Sequence, residues 1–191
     1  NVLRELFAIA NRLFGIYIQE RIEKVEKWHT DVRYYDVYQG DNSNNEIIAG
    51  FYLDPYVRPE TKRSGAWMGS CVDKNRALGH NVPVAYLICN GSPPSKDKPS
   101  LLSFSDVETL FHEFGHGLQH MLTKIDIGDI SGINGIEWDA VELPSQFMEN
   151  WCYDETTLNR MAIHYETGEK MPKSMYESLM EQKTFGAGMA M

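Results

Sequence analysis

An α+β fold is predicted for this chain of 191 residues. Three observations carry the prediction. The first few residues form an amphipathic helical pattern. Between residues 16 and 90, β-branched and aromatic residues gather in short runs separated by Gly, Asn, Asp and Pro. From residue 105 onward, apolar residues recur at helical spacing. A small sheet spanning residues 16–90 followed by a set of helices satisfies all three.

Taken in order, Leu3, Leu6, Phe7, Ala10, Leu13 and Phe14 share one face of a first helix, which Gly15 is placed to end. That face reads as core-forming and carries no chemistry. Residues 16–18, 32–38 and 47–53 read as strands, with a hairpin loop over residues 40–45 between the last two. Asp54-Pro55 and Arg58-Pro59 break regular structure, and residues 62–68 follow no clear period. The apolar run 82–89 reads as a buried strand, and a polar, proline-rich loop over 90–99 leads on from it.

Next, Val107, Leu110, Phe111, Phe114, Leu118, Met121 and Leu122 form an apolar helical stripe. Ser105 with Glu108 fits a capping box, so the helix is expected to start there. Lys124 suits its last turn, and Gly128 lies beyond it. Gly115 and Gly117 inside a helix each cost up to roughly 1 kcal/mol relative to Ala, which implies close approach of another backbone or of a substrate. A loop over 131–135 leads to a second element at 138–151, where Pro144 requires a helix start or a kink. Residues 156–164 and 174–185 read as further helices around Thr167-Gly168-Glu169.

Composition narrows the function. Hydrophobic residues make up 42% and charged residues 24%, a globular balance. A net charge of −9 argues against nucleic acid as partner. The longest unbroken apolar run, 84–89, is too short to cross a bilayer, and no signal peptide is visible. Three cysteines, Cys71, Cys89 and Cys152, form neither an even set nor a close-spaced one. A reducing compartment is expected: the cytoplasm, or an organelle interior such as the mitochondrial matrix or plastid stroma.

The chemistry concentrates at His112-Glu113-Phe114-Gly115-His116, an H-E-x-x-H pattern. Four residues apart on a helix, His112 and His116 can offer ring nitrogens to one metal ion. Glu113 lies about 100° round the helix from His112, where a general base for the attacking water belongs. On the helical wheel, His112, Glu113, His116 and His120 fall opposite the apolar stripe. A third ligand is required. His120 is excluded, because eight helical residues rise about 12 Å, whereas two zinc-bound atoms are at most about 4 Å apart. It is expected to stand behind a ligand, to face substrate, or to lie on the surface. The longer H-E-x-x-H-x-x-G-x-x-H pattern is absent, since Gln119 and Leu122 stand at its Gly and third His positions. Asp139 and Glu142 share a face if their segment is helical. Glu137, Glu149 and Glu155 are rival acids, and spacing alone does not choose among them. A structural metal module and an interaction fragment with an empty site are the competing classes.

Residues 111–116 (FHEFGH) and 136–151 (IEWDAVELPSQFMENW) resemble the signature blocks of the zinc oligopeptidases of the thimet oligopeptidase and oligopeptidase A family. Residues 51–54, 65–68 and 99–102 match further family stretches, and the likeness is strongest to the oligopeptidase A branch. The resemblance implies a zincin-like catalytic core with one Zn2+, hydrolysing internal bonds of short peptides. It implies His112, His116 and Glu142 as zinc ligands, Glu113 as catalytic base, Asp139 as the acid orienting a ligand histidine, and backbone near Gly65 and Ala66 as a binding place for extended peptide. Family members are much longer, mostly helical chains. They supply a downstream His and Tyr segment that stabilises the oxyanion. The chain is therefore expected to be one piece of a catalytic domain, truncated at both ends, with a helix plus β-rich part at 1–104 and a helical zinc-binding part at 105–191. It is expected to be weakly active by itself and to pair with the remainder of its parent.

Overall fold

A computed structural model describes residues 1–40 and 46–185, so most of the expected hairpin loop, residues 41–45, lies outside the described residues. The elements in chain order are α1 (Val2–Phe14), β1 (Ile16–Glu20), β2 (Arg33–Gln39), β3 (Ile47–Tyr56), β4 (Trp67–Val72), β5 (Val84–Gly91), α2 (Phe104–Met121), α3 (Leu143–Glu149), α4 (Glu155–Met161) and α5 (Lys173–Thr184). The strands form one sheet in the order β1-β2-β3-β5-β4. β3 and β5 are parallel, and the other pairs are antiparallel. The fold is thus α+β.

Alternation along the strands sorts the sheet into two faces. Tyr35, Val37, Ala49, Phe51, Leu53, Ala85, Leu87 and Cys89 point to the side covered by α1 and α2. There Phe51 packs edge-on to Phe114 of α2, with centroids 5.9 Å apart, and stacks on Tyr35 at 4.9 Å. The opposite face carries Tyr34, Tyr52 and Tyr86, with Trp28 laid against the last two. Gly50 leaves the space that the Tyr34 ring fills, since a Cβ there would lie 2.7 Å from its Cζ.

Three features depart from the sequence expectation. β4 begins in the last two residues of the segment without a clear period and runs on through residues that carried no strand signal. Met68, Gly69 and Ser70 owe their strand to the ladder supplied by β5, a case of pairing overriding propensity. α2 starts earlier than expected: the Ser103 hydroxyl accepts from the Asp106 N–H at 3.1 Å, and the Asp106 carboxylate accepts from the Ser103 N–H at 2.9 Å. Glu108, expected to complete a cap with Ser105, instead accepts a hydrogen bond from the Tyr153 hydroxyl at 2.7 Å. The helix stops at Met121, which leaves Lys124 beyond it. Finally, the polar side of α2 is covered as well. Glu113, His116 and His120 are all buried, because β4 and α3 close over them.

Pro144 sits in the first turn of α3, where its missing N–H costs nothing. Glu142 is the residue immediately before this helix, and residues 138–142 form turns.

Candidate active site

α2 delivers two histidines to one point. His112 Nε2 lies 3.2 Å, and His116 Nε2 3.1 Å, from the same oxygen of Glu142, Oε2. One ligand-type atom from each of the three residues fits within a 4.8 Å group. The imidazole planes stand at 82°, so their lone pairs approach from different directions. Glu142 is steadied by Ser145, whose Oγ lies 2.8 Å from that Oε2 and 2.9 Å from the Glu142 carbonyl. The Ser145 hydrogen bond, ahead of the neighbouring histidines, holds the Glu142 carboxyl below its ordinary value. Burial pushes His116 down, towards the neutral form. Neutral imidazole and ionised carboxylate are the protonation states a metal requires.

Gly115 explains how α3 comes so near. A Cβ at this position would lie 2.5 Å from the Pro144 carbonyl oxygen and 2.6 Å from Ser145 Cα. The expected approach of another backbone is therefore that of α3. At Gly117 the neighbour is a side chain instead, Leu87, 3.0 Å from the same hypothetical atom.

Glu113 points to the other flank, toward β4. Burial raises its carboxyl above the ordinary range, nearby His112 opposes this, and Glu142 adds to it, while a Met68 backbone contact lowers it again. His120 is neither on the surface nor open to substrate. It is fully buried, and its Nε2 lies 3.1 Å from the Val72 carbonyl of β4, tying helix to strand.

Asp139 is not brought to a histidine. It is exposed in the turn before α3, and it has no hydrogen bond or ion pair among the described residues. The shared-face premise fails because residues 138–142 are turns rather than helix. Of the rival acids, Glu149 reaches the site: its Oε1 lies 2.5 Å from His112 Nδ1. Glu137 and Glu155 are exposed. Gly65 and Ala66 lie in the loop entering β4. Gly65 adopts φ 93°, and its carbonyl accepts from Asn90 Nδ2, which also donates to the Arg63 carbonyl at 3.0 Å. Ser145 and Asn90 were not singled out in the sequence; only the position of Ser145 three residues after Glu142, at hydrogen-bonding distance on a helix start, could have marked it.

The family model described as Peptidase family M3 matches residues 1–191. The chain belongs to peptidase family M3. Among its relatives, organellar oligopeptidase A, chloroplastic/mitochondrial, of Arabidopsis thaliana is 53% identical over 98% of this chain and 24% of the relative. Oligopeptidase A of Escherichia coli (strain K12) is 48% identical over 96% of this chain and 27% of the relative. Dipeptidyl carboxypeptidase of the same organism is 37% identical over 100% and 27%. The chain spans about a quarter of the length of the curated relatives it matches.

M3 is a metallopeptidase family, and the donor set matches what a metal needs. Two imidazole nitrogens from α2 and one carboxylate oxygen from the residue before α3 converge. That is three protein ligands of the kinds a hydrolytic metal takes, with no fourth His, Cys, Asp or Glu grouped with them among the described residues. The residues fit the group. Among the described residues, no helix is long and apolar enough to cross a membrane.

Proposed function

We propose that the longer protein to which this chain belongs, the full chain, is a zinc-dependent oligopeptidase that hydrolyses internal peptide bonds of short peptides. The observation that carries this reading is the convergence of His112, His116 and Glu142 on one point beside Glu113. Zinc would be held by those three side chains, and would polarise the scissile carbonyl and make the attacking water more acidic. Glu113 takes the proton of that water and hands it to the leaving amide nitrogen. Its buried position beside His112 and His116 keeps it next to the water it would act on. The zincin-like arrangement, a sheet edge running past the helix that carries the motif, also suggests where substrate lies. β4 is the terminal strand of the sheet, and an extended peptide adding to its open side would pass Ala66 and Gly65. Identity of 48% to oligopeptidase A against 37% to dipeptidyl carboxypeptidase supports the internal-bond reading over removal of dipeptides.

Short peptides are the expected partners, and the net charge of −9 fits neither nucleic acid nor an acidic membrane surface. A reducing compartment is proposed on the three free cysteines and on relatives whose names place them in the cytosol or in organelles. The test is metal removal. Dialysis of the full chain against a chelator should abolish cleavage of a short quenched-fluorescence peptide, and one equivalent of zinc should restore it. Cleavage that survives complete removal of metal would sink the proposal.

A further inference from the structure

We propose that Glu149 is the positioning residue of this centre, fixing the tautomer and orientation of His112 so that Nε2 is presented unprotonated to the metal. The inference rests on the zinc reading above. Its basis is the unequal support of the two histidines. Both Nε2 atoms face Glu142 Oε2, at 3.2 Å from His112 and 3.1 Å from His116, but only His112 has a partner at Nδ1, Glu149 Oε1 at 2.5 Å. The Nδ1 of His116 is buried and finds no hydrogen-bond partner among the described residues.

A carboxylate oxygen at that distance is an acceptor, so the ring proton sits on Nδ1 and is donated to Glu149. The lone pair is thereby left on Nε2, facing a second carboxylate. Two acceptors 3.2 Å apart repel unless a cation lies between them. Glu149 thus fixes the first condition for metal binding on the very ring that meets Glu142.

The chain achieves this with one short helix. Glu142 immediately precedes α3 and Glu149 ends it. Seven residues at about 100° each return to within about 20° of the starting direction, so the two carboxylates look the same way and close on the imidazole from opposite edges. Gly115 lets the helix sit near enough for both to reach. Asp139, in the turn outside the helix, makes no hydrogen bond or ion pair to either ring.

The proposal is tested on the full chain with Glu149→Ala, Glu149→Gln and, as control, Asp139→Asn. Chelator competition should show zinc affinity falling roughly 10- to 100-fold in Glu149→Ala, the scale for a residue behind a ligand. Glu149→Gln should fall less, because the amide oxygen still accepts from Nδ1, and it provides the measurement if the Ala variant fails to fold. Asp139→Asn should match the parent. A second readout is the ring nitrogen spectrum of metal-free protein. His112 should be in the Nδ1–H form in the parent and a mixture of tautomers in Glu149→Ala. Zinc affinity within twofold of the parent in both Glu149 variants, or an unchanged tautomer in Glu149→Ala, overturns the proposal. If the parent itself binds no zinc, the function proposed above fails, and the tautomer comparison still decides the role of Glu149.

Discussion

Two carboxylates in this molecule are held by clusters of opposite character. Asp54, at the outer face of the sheet, is 1% exposed and accepts from Arg58 at 2.7 and 2.5 Å, from Trp28 at 2.9 Å and from Lys62 at 3.0 Å. Lys62 also donates to the carbonyls of Asp54, Tyr56 and Cys89. Each of these partners brings its own proton or positive charge, so the cluster is complete. Glu142 is met by one hydroxyl and by two imidazole nitrogens that face it as acceptors or as shared-proton partners. One cluster has satisfied its charge with side chains. The other still calls for a cation. A buried group that is fully paired stabilises a fold, whereas a group whose natural partner is not a side chain points to a ligand.

The sharpest way to break this contrast is at Glu113. Glu113→Gln in the full chain should lower kcat for a quenched peptide by about 10²–10⁴-fold, the range of a general base, with zinc content unchanged. Metal lost together with activity would make Glu113 a ligand and redraw the open cluster.

The closed cluster should fail in stability instead. Asp54→Ala leaves Arg58 and Lys62 without their counter-charge, and removing one partner of a buried ion pair typically costs about 3–5 kcal/mol. Glu142→Gln in metal-free protein should change denaturant stability by no more than about 0.5 kcal/mol, as for a partly exposed position, while zinc affinity collapses. Equal stability losses in the two variants would erase the distinction.

At Gly115 the two kinds of effect should appear together. Gly115→Ala drives a methyl group into the backbone of α3. Overpacking of this sort costs typically about 1–3 kcal/mol. Zinc affinity should fall as well, since Glu142 and Glu149 both move with α3. Thermal melting and chelator competition read the two losses separately; unchanged zinc affinity would mean that α3 yields without carrying its carboxylates away.

The smallest expected effect is on pH. Burial alone would raise the Asp54 carboxyl, but hydrogen bonds from Arg58, Trp28 and Lys62 outweigh it and bring the group from 3.8 down to about 2. Its folded pKa lies below its unfolded one, so its contribution is fully present above pH 3.8 and is lost as pH falls through about 2. Denaturation midpoints of the parent should decline over that interval, and Asp54→Asn should flatten the decline. The same slope in both proteins would assign the acid sensitivity elsewhere.

How much was legible in advance differs between elements for physical reasons. α1 announced itself by its stripe and by Gly15, which takes φ 64° at the helix end. β2 and β3 were marked by β-branched and aromatic runs. β4 was not, because Gly69 and Ser70 have little strand preference and the strand exists through its pairing with β5. The cap of α2 was misplaced by two residues, since Ser103 with Asp106 and Ser105 with Glu108 are near-equivalent patterns, and the choice fell to Tyr153 claiming Glu108. His120 was left between a place behind a ligand, a place facing substrate and the surface, because a helical wheel has no means of showing that β4 and the Gly132 backbone close over that face.

The sequence by itself determined the pairing of His112 with His116 and the place of Glu113 between them, because helical periodicity is local and needs nothing beyond the α2 backbone. It also determined, through Gly115, that something had to come close. The third carboxylate was reached only by resemblance, which also implied Asp139 as the acid behind a ligand histidine. Tertiary structure brings Glu142 to both histidines, and Glu149 rather than Asp139 to His112. Residues 138–142 turn before α3 begins at Leu143, so Asp139 and Glu142 never share a helical face. The packing of α3 on Gly115 then brings Glu142 and Glu149 to the same imidazole, 30 and 37 residues along the chain from it, a distance over which no periodicity carries information.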